Sequence, residues 1–246
     1  MQVISINHRK MLPLLALVLA TVSTSLLHAQ GGSVWRQSFN EGWTGWEDLR
    51  SSWGLENASF HEEPGIAGQF MRVRFPQGSL DPATMRREGR PYGGMGFKKR
   101  LFERPMECAR LTYKLRFASD FDFVRGGKLP GLYGGAGNSG GRIPNGTDGF
   151  STRYMWLNDG NGQVYAYLPT SVTYGTSIGK GQFRFARGIW HTLTQEVMLN
   201  QPGHHDGRIR VWLDNRLVVD QADLLFRTTS SLGINGIFVD TFFWGK

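Results

Sequence analysis

The stretch "GFSTRYMWLNDGNGQVYAYLP", Gly149 to Pro169, carries four side chains whose types and spacing suit chemistry. Ser151 and Arg153 alternate on one side of "NDGNG", and Tyr165 and Tyr167 alternate on the other. A period of two belongs to strands, so each pair projects from one face. An arginine, a serine and two phenols beside a glycine-rich segment bearing Lys128 suit β-elimination on a uronic acid. In that reaction a cation such as Arg153 or Lys128 neutralises the sugar carboxylate, which acidifies the proton on the adjacent C5. A base then takes this proton and an acid protonates the departing glycosidic oxygen; tyrosine can serve in either part. A free phenol titrates near ~10, so a tyrosinate base needs nearby cations to lower that value. The same four residues also make ordinary strand surface, since Tyr is common on strands and Arg over Tyr forms a cation-π pair with no chemistry.

Register decides between the two. An odd loop centred on Gly160, either "DGN" or "NDGNG", pairs Arg153 with Tyr167 and Met155 with Tyr165 and gathers the polar groups on one surface. A two-residue turn sends the tyrosines to the opposite side.

Other chemistries lack their parts. The chain has no HExxH and no cysteine pair, and "GGAGNSGG" lacks the Lys-Ser/Thr ending of a phosphate loop. No metal site is expected. Glu62 and Glu63 are neighbours, so on a strand they point to opposite faces and cannot flank one sugar bond. His191 in "WHTL" reads as a strand start, and His204 with His205 before "DG" as an exposed turn.

The positioning elements are strands throughout. Short apolar runs such as "RLTYKLRFASD", "WHTLTQEVML" and "GINGIFVDTFFWG" alternate with Gly, Pro, Asn and Asp punctuation. In "RIRVWLDNRLVV", Ile209, Val211 and Leu213 share one face and Arg208, Arg210 and Trp212 the other, with "DN" as the turn of a half-buried hairpin. No amphipathic helix longer than a couple of turns, internal repeat or low-complexity linker interrupts the pattern. At 246 residues the expected architecture is all-β, a single antiparallel β-sandwich of jelly-roll type. Two stretches read as long loops, "FPQGSLDPATMRREGRPYGGMGFKKR" and "RGGKLPGLYGGAGNSGGRIPNGTDG".

Residues 1–30 read as a signal peptide, with Arg9 and Lys10 before an apolar run from Met11 to about Leu27 and small residues near Ala29. The rival, an uncleaved anchor, has a short apolar run diluted by Thr21, Ser23, Thr24 and Ser25. Residues 31–246 then form the domain, secreted or periplasmic. Its lone Cys108 can form no intramolecular disulfide and reads as a small buried apolar residue. Loss of Arg9 and Lys10 leaves 26 basic against 20 acidic residues, a surplus that suits an anionic partner or simply keeps the surface soluble. Nucleic acid is disfavoured because no recognition helix or RNA-binding signature accompanies the charge.

"GGKLPGLYGG", the hairpin stretch, "GTSIGKGQFRFARGIWHTLTQEVMLNQPGHHDGRIRVWLDNRLVV" and "GINGIFVDTFF" together resemble polysaccharide lyase family 14, the alginate and glucuronan lyases of jelly-roll fold. The resemblance runs from about Ser33 to the C-terminus and is strongest from Arg125 onward. It implies depolymerisation of a polyuronate without a required cofactor. The family's set of a Lys in a KLPG segment, a Ser-x-Arg pair and a Tyr-x-Tyr pair falls here on Lys128, Ser151, Arg153, Tyr165 and Tyr167. The roles it implies are proton transfer by Tyr165 and Tyr167, carboxylate neutralisation and phenol tuning by Arg153 and Lys128, and orientation by Ser151; Lys128 is an alternative base, since a desolvated lysine loses its proton readily. Arg86, Arg87, Arg90 and Lys98 in the other long loop read either as a basic path for the anionic chain or as a solvated charge run. A non-catalytic module is the rival of another class, using Trp156, Tyr133 and the basic loops to hold an acidic glycan.

Overall fold

The computed structural model describes residues 34–244 and the backbone of residues 14–23. The strands in chain order are β1 (Leu14–Ser23), β2 (Val34–Arg36), β3 (Arg50–Trp53), β4 (Ala58–His61), β5 (Phe70–Arg74), β6 (Met95–Arg100), β7 (Cys108–Phe117), β8 (Gly126–Gly135), β9 (Gly149–Leu157), β10 (Gly162–Tyr167), β11 (Thr176–Ile178), β12 (His191–Met198), β13 (Gly207–Leu213), β14 (Arg216–Leu224) and β15 (Ile234–Thr241). One sheet runs β14-β13-β12-β7-β1-β5-β4, with β2 added to β1, and the other runs β11-β10-β9-β8-β15-β6-β3. The leader expected over residues 1–30 falls mostly outside the described residues. Its described part, β1, pairs with β5 and β7.

Alternation builds the sandwich. On β7, Ala109, Leu111, Tyr113, Leu115 and Phe117 are buried toward the other sheet, while Arg110, Thr112, Lys114 and Arg116 face outward. On β9, Thr152, Tyr154 and Trp156 turn inward, and Trp156 packs at 5.4 Å from Phe117 and 5.7 Å from Phe121. The "DN" hairpin forms as expected between β13 and β14, with Asp214 and Asn215 both at positive φ.

Both stretches expected to be long loops contain regular structure. The first holds a short helix, α1 (Pro82–Arg87), capped by Asp81, and all of β6. The second holds β8, a buried strand whose glycines admit close neighbours. Lys128 therefore stands on a strand, opposite Met155. A bulge sits just beyond it: β8 pairs Leu129 with Tyr154 but Leu132 with Thr152, so the stretch through Pro130 and Gly131 carries one extra residue. The other sheet receives the backbone groups this frees. Tyr113 Oη donates to the Pro130 carbonyl at 3.0 Å, and Gln195 Oε1 accepts from Leu132 N at 3.2 Å. Gln195 Nε2 also donates to the Thr152 carbonyl at 2.7 Å, which ties β9 to the same post.

Gly131 is required by this approach. A Cβ there would lie 2.1 Å from the Thr152 carbonyl oxygen and 2.6 Å from Arg153 Cα, both backbone atoms that cannot give way alone. Gly131→Ala is expected to cost about 1–3 kcal/mol in chemical denaturation, with an unchanged denaturant slope if the sandwich still folds.

Candidate active site

The candidate side chains on β8, β9 and β10 lie on the outer face of the second sheet, on strands whose inner faces fill the core. The β9–β10 hairpin pairs Arg153 with Tyr165 and Ser151 with Tyr167. The expected parity is right and the expected pairs are not: the odd loop centres on Asp159, so Arg153 does not face Tyr167 and Met155 does not face Tyr165. Asp159 and Gly160 both take positive φ, and this shifts the centre by one residue and every pair by two. Ser151, Arg153, Tyr165 and Tyr167 still share one surface, as the odd loop requires.

The bulge brings β8 onto the same surface. Lys128 and Tyr133 are five residues apart, which on a regular strand puts them on opposite faces. With one extra residue between them, Lys128 pairs with Met155 and Tyr133 with Ser151, both outward. From β9 the Arg153 side chain reaches across β8 to β15. Its guanidinium lies 4.4 Å over the Phe238 ring and bonds the Asp240 carboxylate through Nη1, while its Nε is buried without a partner.

Asp240 escaped the sequence reading. Its signal was a carboxylate in the apolar run "GIFVDTFF", on the face opposite Ile237 and Val239. Gln163 also escaped; it is buried beside Met155 with its Oε1 unpartnered.

Lys128 is 4% exposed. Its Nζ sits 3.6 Å from the Tyr165 ring centroid and donates to Met155 Sδ at 2.9 Å, a weak acceptor. Burial, reinforced by the Arg153 charge and opposed by Asp240, holds its ammonium well below the ordinary lysine range. Lys98 on β6 is lowered mainly by burial too, and it donates to the Ala136 and Gly137 carbonyls at 2.6 and 3.2 Å. Burial raises the Asp240 carboxyl against the pull of Arg153, Lys128 and Lys98. The expected lowering of the phenols does not occur at Tyr165, which burial and then Tyr167 push up to about 12, outweighing Arg153. Burial likewise raises Tyr133, whose ring packs against Phe238.

Ser151 and Tyr167 join Lys98 in holding the loop between β8 and β9 (136–148). Ser151 Oγ is fully buried and donates to the Asn138 carbonyl at 2.6 Å, while Tyr167 Oη accepts from Gly141 N at 2.9 Å. Ser151 therefore fixes backbone where the orientation of a ligand was expected. Arg86 is exposed on α1, and Arg90 is held within its own loop by Glu88 and the Gly78 carbonyl; neither has a described contact with the strand-borne cluster. Trp156 is no glycan platform, since it is fully buried and donates to the Phe123 carbonyl. Cys108 is half-buried at the start of β7, its thiol pushed up to about 11 mainly by burial. His191 opens β12 as expected, between Asp214 and Ala186 N, and His204 and His205 are exposed.

The family model described as polysaccharide lyase 14 matches residues 64–246. Among solved structures the chain is similar to the marine PL-14 alginate lyase from Aplysia kurodai, with 29% identity over 92% of this chain and 90% of that one and a TM-score of 0.73. An alginate lyase from a Chlorella virus matches at 18% identity over 84% and 88% of the two chains, TM-score 0.67. An endo-β-1,4-glucuronan lyase from the fungus Trichoderma reesei matches at 12% over 90% and 82%, TM-score 0.53. The last two share the fold. No curated protein matches the chain by sequence.

The buried ammonium has a measurable signature. With the native pKa of Lys128 depressed, the unfolded chain binds more protons between that lowered value and about 10.4, so stability rises with pH across this window. Lys128→Met is expected to abolish that rise and to increase Tm at neutral pH, by about 2–4 °C for each kcal/mol of relieved burial. Calorimetric scans of both proteins from pH 7 to 10 check it.

Proposed function

The chain belongs to polysaccharide lyase family 14, and from that premise we propose that it acts outside the cytoplasm on alginate, with glucuronan as second candidate, through Lys128, Arg153 and Tyr165. The observation that carries this reading is Lys128, buried against Arg153 and Tyr165 with a thioether as its hydrogen-bond acceptor. An amine so placed gives up its proton at lower pH than an ordinary lysine and can act as a base.

The roles follow from the environments. Arg153, pinned on one side by Asp240, supplies the positive charge that neutralises the uronate carboxylate and draws charge from C5 as the enolate develops. Lys128 takes the C5 proton. The pair of electrons then moves into the C4–C5 double bond and expels the glycosidic oxygen, which Tyr165 protonates; with its pKa near 12 it keeps that proton until the oxygen departs. Tyr167 and Ser151 hold the adjoining loop, and Lys98 and Tyr133 extend the basic strip across β6 and β8. Support for the substrate comes from the Aplysia enzyme, an alginate lyase at 29% identity.

Export is supported by Arg9 and Lys10 ahead of the apolar run. The same run contributes β1, so the mature N-terminus is informative. Mass spectrometry of the exported chain is expected to find a start near residue 30; a start before Leu14 refutes cleavage.

Incubation with alginate or glucuronan is expected to raise ultraviolet absorbance as the unsaturated sugar forms. Lys128→Ala and Tyr165→Phe should each lower kcat by at least about 100-fold, the usual worth of a positioned acid or base. No absorbance rise on any uronate refutes the reading. Asp240 raises the pKa of Lys128, so Asp240→Asn is expected to move the acidic limb of the kcat/KM profile to lower pH. A pH–rate series on the two proteins reads the sign.

A further inference from the structure

We propose that Arg142 and Tyr174 form an outer subsite for a second uronate of the bound chain, Arg142 taking its carboxylate and Tyr174 stacking on its ring. The inference rests on the polyuronate reading and assigns residues that neither the sequence pattern nor the strand-borne cluster includes.

Its geometry starts from the loop at 136–148. Three side chains of the outer face hold this loop at backbone atoms: Ser151 at the Asn138 carbonyl, Tyr167 at Gly141 N, and Lys98 at the Ala136 and Gly137 carbonyls. The residue after Gly141 is therefore carried at a set position beside Tyr167. That residue is Arg142, whose side chain is 64% exposed and meets Asp148 only at 3.5 Å. Asp148 is already engaged by Asn138 Nδ2 at 2.8 Å and Asn145 N at 3.0 Å, so the guanidinium is weakly held and free to pair with an incoming carboxylate. Its charge reaches the strip, since it contributes to lowering Lys98.

Tyr174 comes from the segment between β10 and β11. Its neighbour Gly175 packs on the phenol pair, where a Cβ would lie 2.9 Å from Tyr165 Cε1 and 3.0 Å from Tyr167 Cδ2. Tyr174 itself is 61% exposed. A Cβ at Gly141 would sit 3.5 Å from Tyr174 Cε1, and that glycine has φ +88°, so the backbone and the missing side chain together leave the ring open. One exposed tyrosine on a surface is unremarkable. Here an exposed ring lies against Gly141 and a loosely paired guanidinium belongs to the next residue, and Tyr167 anchors that glycine to the reacting face. A uronate offers the two complementary features, an apolar ring face for the tyrosine and a planar carboxylate for the arginine fork.

The test compares wild type, Arg142→Gln and Tyr174→Ala on alginate or glucuronan oligomers of increasing length and on the polymer. Binding of the longest oligomer is measured in parallel by calorimetry in a Lys128→Ala background. Each variant is expected to raise KM for the polymer about tenfold, the worth of one charge-assisted contact for Arg142 and of one ring contact for Tyr174. The gain in kcat/KM from short to long substrates should shrink, and oligomer binding should weaken to match. Both residues are exposed, so circular dichroism is expected to match wild type. A polymer KM and length preference identical to wild type in both variants overturns the subsite while leaving the lyase reading intact. A wild-type protein that turns over no uronate overturns that reading, and the subsite with it.

Discussion

The site depends on one irregularity, the extra residue of β8 at Pro130 and Gly131. Proline cannot donate to a ladder and glycine has no side chain to obstruct one, so the pair concentrates the irregularity in the middle of a buried strand. Two consequences follow. The side-chain parity of β8 flips, so Lys128 and Tyr133 face outward together, and the irregular stretch lies on the path by which Arg153 crosses from β9 to Phe238 and Asp240 on β15. The backbone groups freed by the bulge would be costly if left bare, and Tyr113 and Gln195 take them from the opposite sheet. The outer face is thus shaped by inter-sheet hydrogen bonds that lie wholly in the core.

Above that bulge the balance of charge is uneven. Buried Lys128 and Arg153 and half-buried Lys98 share a strip with one described carboxylate, Asp240. Burying cations without full compensation works against stability, and the fold supports it with a large aromatic core around Trp156, Phe117, Phe121 and Phe75. An arriving uronate brings the missing negative charge. The strain of the free site and its preference for polyanions are one electrostatic fact seen from two sides.

Burial also shifts the two titrating groups in opposite directions. The same desolvation that drives Lys128 down drives Tyr165 up, because it disfavours whichever form is charged. Two groups in contact are pushed toward their neutral forms, one a free amine and the other a protonated phenol. Pairing a cation with a phenol suggests tyrosinate when only residue types are considered. Packing reverses that, since dielectric outweighs the single neighbouring charge of Arg153.

The sequence by itself made the sandwich and the grouping of Ser151, Arg153, Tyr165 and Tyr167 legible, because side-chain alternation is a local property with a period of two, while it placed Lys128 only in a loop. It also determined that an odd hairpin loop would gather those four on one face. Tertiary structure decided the pairing register, since the left-handed Asp159 and Gly160 set the turn centre. It decided that the glycine-rich KLPG segment is a strand, since close approach to β9 makes glycine the fitting residue there. It alone revealed Asp240, because the partner of Arg153 lies 87 residues away along the chain and two strands away in the sheet. The proton inventory was likewise beyond the sequence: residue types fix which groups can titrate, and only packing fixes how far each is removed from water.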